Sequence, residues 1–402
     1  MCMKIKDIDT ILMSCPIPEG KTWRLGGRLA SDGRTYLTGQ KGVKVDLLIL
    51  KVVTEDGLTG LGEIQGGDLA MEAHVKQMKP RFLGLDVFDV DMFTRRQPWG
   101  LSWAEGRVLA AVNVACWDIM GKAVGKPVYQ LLGSRYADRV RAYASGGIDW
   151  DFVKNPEIIT REAGGYLEEG WTAFKFRIPP DDRCLNVIKA AREAVGGEMD
   201  LMIEANMRFR TAKQAIRMAE KFGEYDPLWF EEPVPAFSTA DMQAYIEIRK
   251  ALPNIPISGG EGKTSVAEFK PWIDSHAYDI VQPDASYTGL SEAKRIAYLA
   301  ELQGILCCPH DWGMAVANTA NLHLVASIPN HFLLEIQTTW HSSCPPFRAL
   351  EGTEILKKPL EMHKGYINVP TEHGLGIELD EDACKKFPYK EGPTAVPWET
   401  IF

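Results

Sequence analysis

The chain has 402 residues, a quarter of them charged, and a formal net charge of -9 with the two signs well mixed. Such a balance leaves no nucleic-acid footprint, and an acidic protein that handles an anionic substrate must gather positive charge locally, through a metal or a few Lys and Arg side chains. The length suits two or three domains unless one is a barrel, no stretch approaches a membrane span, and MCMKIKDIDTILM lacks the long apolar core of a signal sequence, so a cytoplasmic protein without a membrane partner is expected.

In chain order, the segment CPIPEGKTWRLGGRLASDGRTYLTGQKG comes first, Gly-rich and punctuated by Lys21, Arg24, Arg28, Arg34 and Lys41. It reads either as a solvated surface loop or as a lid that closes over a site and supplies cations to an anionic substrate. Residues 43 to 64, VKVDLLILKVVTEDGLTGLGEI, alternate apolar and polar positions around Glu55-Asp56-Gly57, which predicts a hairpin. From Asp68 the period turns helical, through DLAMEAHVKQMKPRFLG to the Ala-rich EGRVLAAVNVACWDIMGKAVG, which Gly125, Lys126 and Pro127 interrupt before VYQLLG. Residues 1–136 therefore read as a small α+β domain.

After Val140 the rhythm becomes a repeated strand-then-helix unit. Its strand-like runs are VRAYASGG, TAFKFRI, DLMIEAN, PLWFEEP, PISGGEG, YDIVQPD, GILCCPH and HFLLEIQ, with helices such as LNVIKAAREAVG and TAKQAIRMAEKFG between them. Continuous apolar strands alternating with helices indicate a parallel sheet covered on its outer side, and eight close most economically as a (β/α) barrel over residues 137–359. Beyond Pro359 the rhythm stops, and residues 360–402 read as turns and short strands that return to the first domain. The eight cysteines lack metal-finger or paired spacing and read as reduced and mostly buried.

Chemistry concentrates at the ends of the barrel runs. Glu204, Glu231 and Glu261 close consecutive runs, which places three carboxylates on the rim where barrels do chemistry. Like charges gathered there repel unless a cation holds them, and three oxygen ligands suit a hard ion such as Mg²⁺. Lys175 and Arg177, two apart on one strand, share the inward face. Asp284 and His310 end successive runs and fit a dyad in which the carboxylate orients the imidazole, with Glu335 completing the ring.

Taken together, Lys175-x-Arg177, Glu204-Ala-Asn206, Glu231-Glu232-Pro233, Gly260-Glu261, Asp284, His310 and Glu335 resemble the ordered barrel motifs of the enolase superfamily, mandelate racemase subgroup. ACWDIMGKAVGKPVYQLLG and HGLGIELDED are similar to that family's segments, so the resemblance covers nearly the whole chain. It implies an N-terminal capping domain completed by the C-terminal segment, on a modified TIM barrel that binds one Mg²⁺ through Glu204, Glu231 and Glu261. It further implies removal of the proton α to a carboxylate, with the enediolate held on the metal, a protonated Glu335 donating to the same oxygens and Asn206 holding a substrate hydroxyl.

Two departures steer the choice of reaction. Glu204 stands where the family more often has Asp, and Arg177 stands where racemases have a Lys base; Arg is a poor proton acceptor, so two-base racemisation is disfavoured. The expectation is an acid-sugar dehydratase that converts an aldonate or aldarate to its 2-keto-3-deoxy product by way of the His310-Asp284 dyad. Substrate contacts are expected from Asn206, Arg208, Lys263 and Trp312, with Trp23, Arg24 and Arg28 from the lid. The nearest rival is an epimerase or lactone cycloisomerase, and from another class a non-catalytic sugar-acid binder. A homo-oligomer is expected from the resemblance. The Gly-rich stretches lack a phosphate-loop pattern.

Overall fold

The run KVDLLILKVV forms the middle strand of the first sheet because it is buried on both faces. In the computed structural model, which describes residues 3–16, 24–25, 28–29, 35–36, 40–93, 102–338 and 354–397, β1 (Ile5–Pro16) and β6 (Lys44–Thr54) pair antiparallel, and β6 pairs with β7 (Thr59–Gln65). Between them lie the short strands β2 (Arg24–Leu25), β3 (Arg28–Leu29), β4 (Thr35–Tyr36) and β5 (Gln40–Gly42). Val45, Leu47 and Ile49 of β6 face a core continuous with the barrel, whereas Leu48, Leu50 and Val52 face the first domain's own core. The turn after β6 closes at Gly57, whose φ of 83° favours glycine.

Helices α1 (Leu69–Met78), α2 (Val90–Phe93), α3 (Trp103–Val124) and α4 (Val128–Leu132) complete this domain. Ser102 and Glu105 form a capping box at the start of α3, and Gly125 ends it in the left-handed conformation. A Cβ at Gly62 would lie within 2.7 Å of the Ala111 carbonyl carbon, so glycine there lets β7 lie directly on α3.

The eight predicted runs become β8 (Arg139–Ser145), β9 (Ala173–Arg177), β10 (Asp200–Glu204), β11 (Phe230–Glu231), β12 (Ile257–Gly259), β13 (Ile280–Val281), β14 (Leu306–Cys307) and β15 (Leu334–Gln337). All pair in parallel, and β15 returns to β8. A Cys307–His331 bridge closes the remaining seam. Helices α5 (Glu157–Glu168), α6 (Arg183–Val195), α7 (Ala212–Phe222), α8 (Met242–Ala251), α9 (Val266–Asp274), α10 (Ala285–Glu301) and α11 (Ala315–Ala326) cover the outside. In α7, Ala212, Ala215, Met218, Ala219 and Phe222 form the buried stripe, and Thr211 caps the first turn by accepting from Gln214 N–H.

The seam between the domains is polar and specific: Asn113 Nδ2 and Trp117 Nε1 of α3 both donate to Ser291 Oγ of α10 at 2.9 Å. The C-terminal segment carries β16 (Met362–His363), β17 (Tyr366–Asn368), α12 (Glu381–Cys384) and β18 (Ala395–Pro397). It reaches the first sheet, where Ser14 N donates to Phe387 O, and helix α3, where Leu375 N donates to Asp118 Oδ1, and it also adds β17 antiparallel to the start of β8. Among the described residues no helix is long and apolar enough to cross a membrane.

Candidate active site

Side chains alternate along a strand, so the residue two beyond an inward one stands a layer higher on the same face. Tyr143, Ala173, Met202, Trp229, Ile280, Cys308 and Leu333 pack together as an apolar floor inside the barrel. Two positions further along the same runs stand Ser145, Lys175, Glu204, Glu231, Gln282, His310 and Glu335, all buried. The polar layer is thus a direct product of strand period and register.

Lys175 Nζ lies 2.6 Å from Glu231 Oε1, 2.8 Å from Glu335 Oε1 and 3.5 Å from Glu204 Oε2. Burial opposes its charge, but Glu231, Glu335 and Glu204 outweigh that and hold the ammonium well above the ordinary lysine range. Glu231 Oε2 accepts from Trp229 Nε1 at 2.9 Å and Gln282 Nε2 at 2.8 Å, and burial lifts its carboxyl to about 7. In Glu204, both oxygens are buried without a hydrogen bond. Burial works against its charge, yet Arg177 Nη2 at 3.2 Å and Lys175 hold the carboxyl below its ordinary value.

Glu335 corrects one expectation. Its Oε2 accepts from Asp311 N at 2.9 Å and its Oε1 from Trp312 Nε1 at 3.2 Å. Against the penalty of burial, Lys175 and then His310 pull its carboxyl to about 2. It is an ionised acceptor in this arrangement, not a protonated donor.

Asp284 and His310 meet as a dyad. Asp284 Oδ2 accepts from His310 Nδ1 at 2.8 Å, and Asp284 Oδ1 accepts from Ser286 N at 2.7 Å and Asn321 Nδ2 at 3.3 Å. A carboxylate only accepts, so Nδ1 carries a proton and Nε2 is the working atom. Nε2 faces Glu261 Oε2 at 3.3 Å. Burial disfavours the imidazolium, but Glu261, the Asp284 hydrogen bond and Glu335 together lift His310 to about 10.

The expected substrate contacts divide. Arg177 stacks over Trp312 at 4.4 Å and donates to Gly146 O, so these two form one wall. Arg208 lies over Trp150 at 4.4 Å and donates to Ala205 O; burial and the Arg177 charge lower it to about 10. Asn206 and Met207 both take left-handed φ values, 47° and 60°, and Glu232 does so at 42°. Bonds from Met207 N to Glu232 O and from Phe209 N to Pro233 O hold this backbone, which costs about 1–3 kcal/mol per residue and is concentrated beside Glu204 and Glu231. Lys263 is a correction: its ammonium donates to Ala236 O at 3.0 Å and sits 4.0 Å over the Trp272 ring, a position already committed to packing. Trp23 lies outside the described residues, as do the side chains of Arg24 and Arg28.

Several site neighbours are given no role by the sequence. The Tyr287 ring stacks on the His310 imidazole, centroids 5.9 Å apart, and Arg107 of α3 lies 4.7 Å over that same Tyr287 ring. Glu232 is buried with neither oxygen bonded, and burial, then the Glu261 charge, pushes its carboxyl well above the ordinary range. The doublet Glu231-Glu232 could have drawn attention to it; nothing local marks Tyr287.

Whether this ring suits a hard cation can be judged from its donors. The unbonded Glu204 oxygens, buried in the ring, and the Glu261 carboxylate, whose side chain is 26% exposed, are hard oxygen donors. Among the described residues no three ligating groups close on one point, and the Lys175 ammonium stands among Glu204, Glu231 and Glu335. The donors are chemically of the kind a hard divalent ion takes, and one of them, Glu231, is paired here with Lys175.

Residues 38–133 match the mandelate racemase / muconate lactonizing enzyme N-terminal domain, and residues 159–383 match the enolase C-terminal domain-like family. A D-galactarolactone cycloisomerase of Agrobacterium fabrum is 32% identical over 357 residues, 85% of this chain and 90% of that protein. A D-gluconate/D-galactonate dehydratase of Picrophilus torridus is 30% identical over 362 residues, 85% and 88% of the two chains. The crystal structure of a mandelate racemase/muconate lactonizing enzyme from Jannaschia sp. CCS1 superposes with a TM-score of 0.79 at 28% identity, covering 97% of this chain and 99% of that one.

Proposed function

This chain belongs to the enolase superfamily, in the mandelate racemase/muconate lactonizing enzyme family, and from that premise we propose that it is an acid-sugar dehydratase. The observation that carries the reading is the one complete acid–base pair among the described residues of the site: His310 is oriented by Asp284, while Arg177 holds the position where a second base would stand. Dehydratases among the relatives support it.

Glu204, Glu231 and Glu261 would hold Mg²⁺, which when bound stabilises the charge that develops on the substrate carboxylate as its α-proton leaves. Lys175 places a second positive charge beside the same carboxylate, and Arg177 with Trp312 bounds the substrate on one side. His310 Nε2 takes the α-proton and returns it to the β-hydroxyl, which leaves as water; the enol so formed becomes the 2-keto-3-deoxy acid. The carboxylates that lift His310 suit the second of these transfers. The first needs a neutral imidazole, and a cation held by Glu261 would offset the negative charge that is the largest source of the lift.

The test is a screen of Mg²⁺-loaded protein against aldonic and aldaric acids, reading 2-keto acid as the semicarbazone. Keto acid formation from one of them establishes dehydration and names the substrate. The second reading, lactone cycloisomerisation, is favoured by the relative of that activity. A plate without keto acid, together with α-hydrogen exchange in D₂O, would select it over dehydration. Binding with neither signal would leave the non-catalytic sugar-acid binder.

A further inference from the structure

The carboxylate of Glu63 comes from the first domain yet ends in the barrel. It is 2% exposed on β7, and it accepts from Met314 N at 2.6 Å, Val316 N at 2.9 Å and Ala317 N at 3.1 Å. These are the free N–H groups at the start of α11, which has no side-chain cap of its own. The chain entering α11 is Cys308-Pro309-His310-Asp311-Trp312-Gly313-Met314, so the first of these donors, Met314 N, lies four residues beyond the proposed base. That segment is fixed at its middle by Glu335, through Asp311 N and Trp312 Nε1, and at its far end by Glu63. A Cβ at Gly313 would fall 3.3 Å from Glu63 Oε1, so the seat is closely fitted.

The same strand reaches the imidazole a second way. Gln65, two residues on from Glu63, accepts from Arg107 Nη2 through its carbonyl at 2.8 Å and from Tyr287 Oη through its amide oxygen at 3.3 Å. Tyr287 is the ring that stacks on His310.

We propose that Glu63 is a positioning residue for catalysis: from the first domain it sets where the His310 segment ends, and β7 thereby makes the docking of the two domains a condition for an aligned base. A helix cap alone would not need to cross between domains. The inference rests on His310 acting on the substrate, as proposed above.

Glu63→Gln keeps the size but presents an amide nitrogen to N–H groups, so one of the bonds to α11 is lost. The test measures kcat and KM of this variant and its crystal structure beside the wild type, with Asp380→Ala, which removes the cap of α12 in the C-terminal segment, as a control for lost stability. A kcat lowered about ten- to a hundredfold with KM nearly unchanged, together with a displaced His310–Met314 segment, is expected, because small misplacements of a catalytic group have effects of that size; the control loses stability and keeps its rate. A kcat within about twofold of wild type, or an unmoved His310, overturns the proposal. If Glu63→Gln does not fold, Glu63→Asp, which keeps the charge but falls short of α11, replaces it with the same outcomes. If the wild type exchanges no α-hydrogen with any acid sugar, the proposed reaction fails, and the position of His310 in the two crystal structures alone decides the role of Glu63.

Discussion

Replacing Asp284 with Asn changes one oxygen to an NH₂ group in a fully buried place. The carboxylate now accepts three hydrogen bonds, from His310 Nδ1, Ser286 N and Asn321 Nδ2. An amide has one accepting oxygen. Turned toward His310, it leaves its NH₂ facing the two other donors, and each buried donor left unpaired costs about 1–3 kcal/mol. Turned the other way it keeps both of those bonds and donates to Nδ1, which moves the imidazole proton onto Nε2. The second orientation preserves more bonds, so the variant should fold with the base in its inactive tautomer. General acid–base catalysis by a positioned side chain contributes about 10²–10⁴ in rate, and kcat should fall within that range while KM changes little. The assay is keto acid formation from the acid sugar found in the screen, with α-hydrogen exchange followed by NMR in parallel. A variant with kcat within about tenfold of wild type, and thus below that range, would refute the claim that Asp284 sets the tautomer.

Three further outcomes are expected. Lys175→Met leaves Glu231, Glu335 and Glu204 without their shared ammonium, a loss of the kind that costs about 3–5 kcal/mol; its melting temperature should drop and then recover more with saturating Mg²⁺ than the wild type does, and equal gains would argue against an ion among these carboxylates. His323 accepts from Tyr129 N at Nδ1 and donates from Nε2 to Leu375 O, and burial depresses its pKa to about 4. A depressed histidine contributes stability that is complete above 6.5 and lost as pH falls through 4, about 3 kcal/mol in all; the gap in melting temperature between wild type and His323→Leu should therefore narrow on acidification, and a constant gap would contradict the assignment. Gly62→Ala forces a methyl group against the Ala111 carbonyl, backbone on both sides, and should destabilise by about 1–3 kcal/mol or more in thermal unfolding; an unchanged midpoint would mean that β7 and α3 separate readily.

The barrel was legible because its strands are short, apolar and regularly spaced, and each ends in a residue that chemistry would want. Lys175, Glu204, Glu231, His310 and Glu335 could be found one by one for the same reason: each follows an apolar floor residue at the period of a strand. Their protonation states were not legible. Glu335 could be read as a donor until its distance to Lys175 was known, since nothing in LLEIQ tells of an ammonium 160 residues earlier in the chain, from position 175 to 335. Lys263 follows Glu261 closely and looked like a rim cation, but a long flexible stem let it fold back over Trp272. Glu63 was hidden most fully. GLGEI reads as half of a hairpin, and the N–H groups that donate to Glu63 lie some 250 positions away, with a separation of 251 to Met314.

The pairing of the C-terminal segment with the first sheet has a consequence for how the molecule is made. Ser14 contacts Phe387 and Lys390, a separation of 376 residues in the second case. During synthesis β1 can pair with β6 early, but its end near Ser14 stays unfinished until nearly the whole chain has left the ribosome, and contacts of such long range are slow to form. The barrel strands, each near its successor, are free to assemble in the meantime. The first domain to emerge is therefore among the last to be completed, and a nascent chain halted before residue 375 would carry a formed β1–β6 hairpin whose far end has no neighbour.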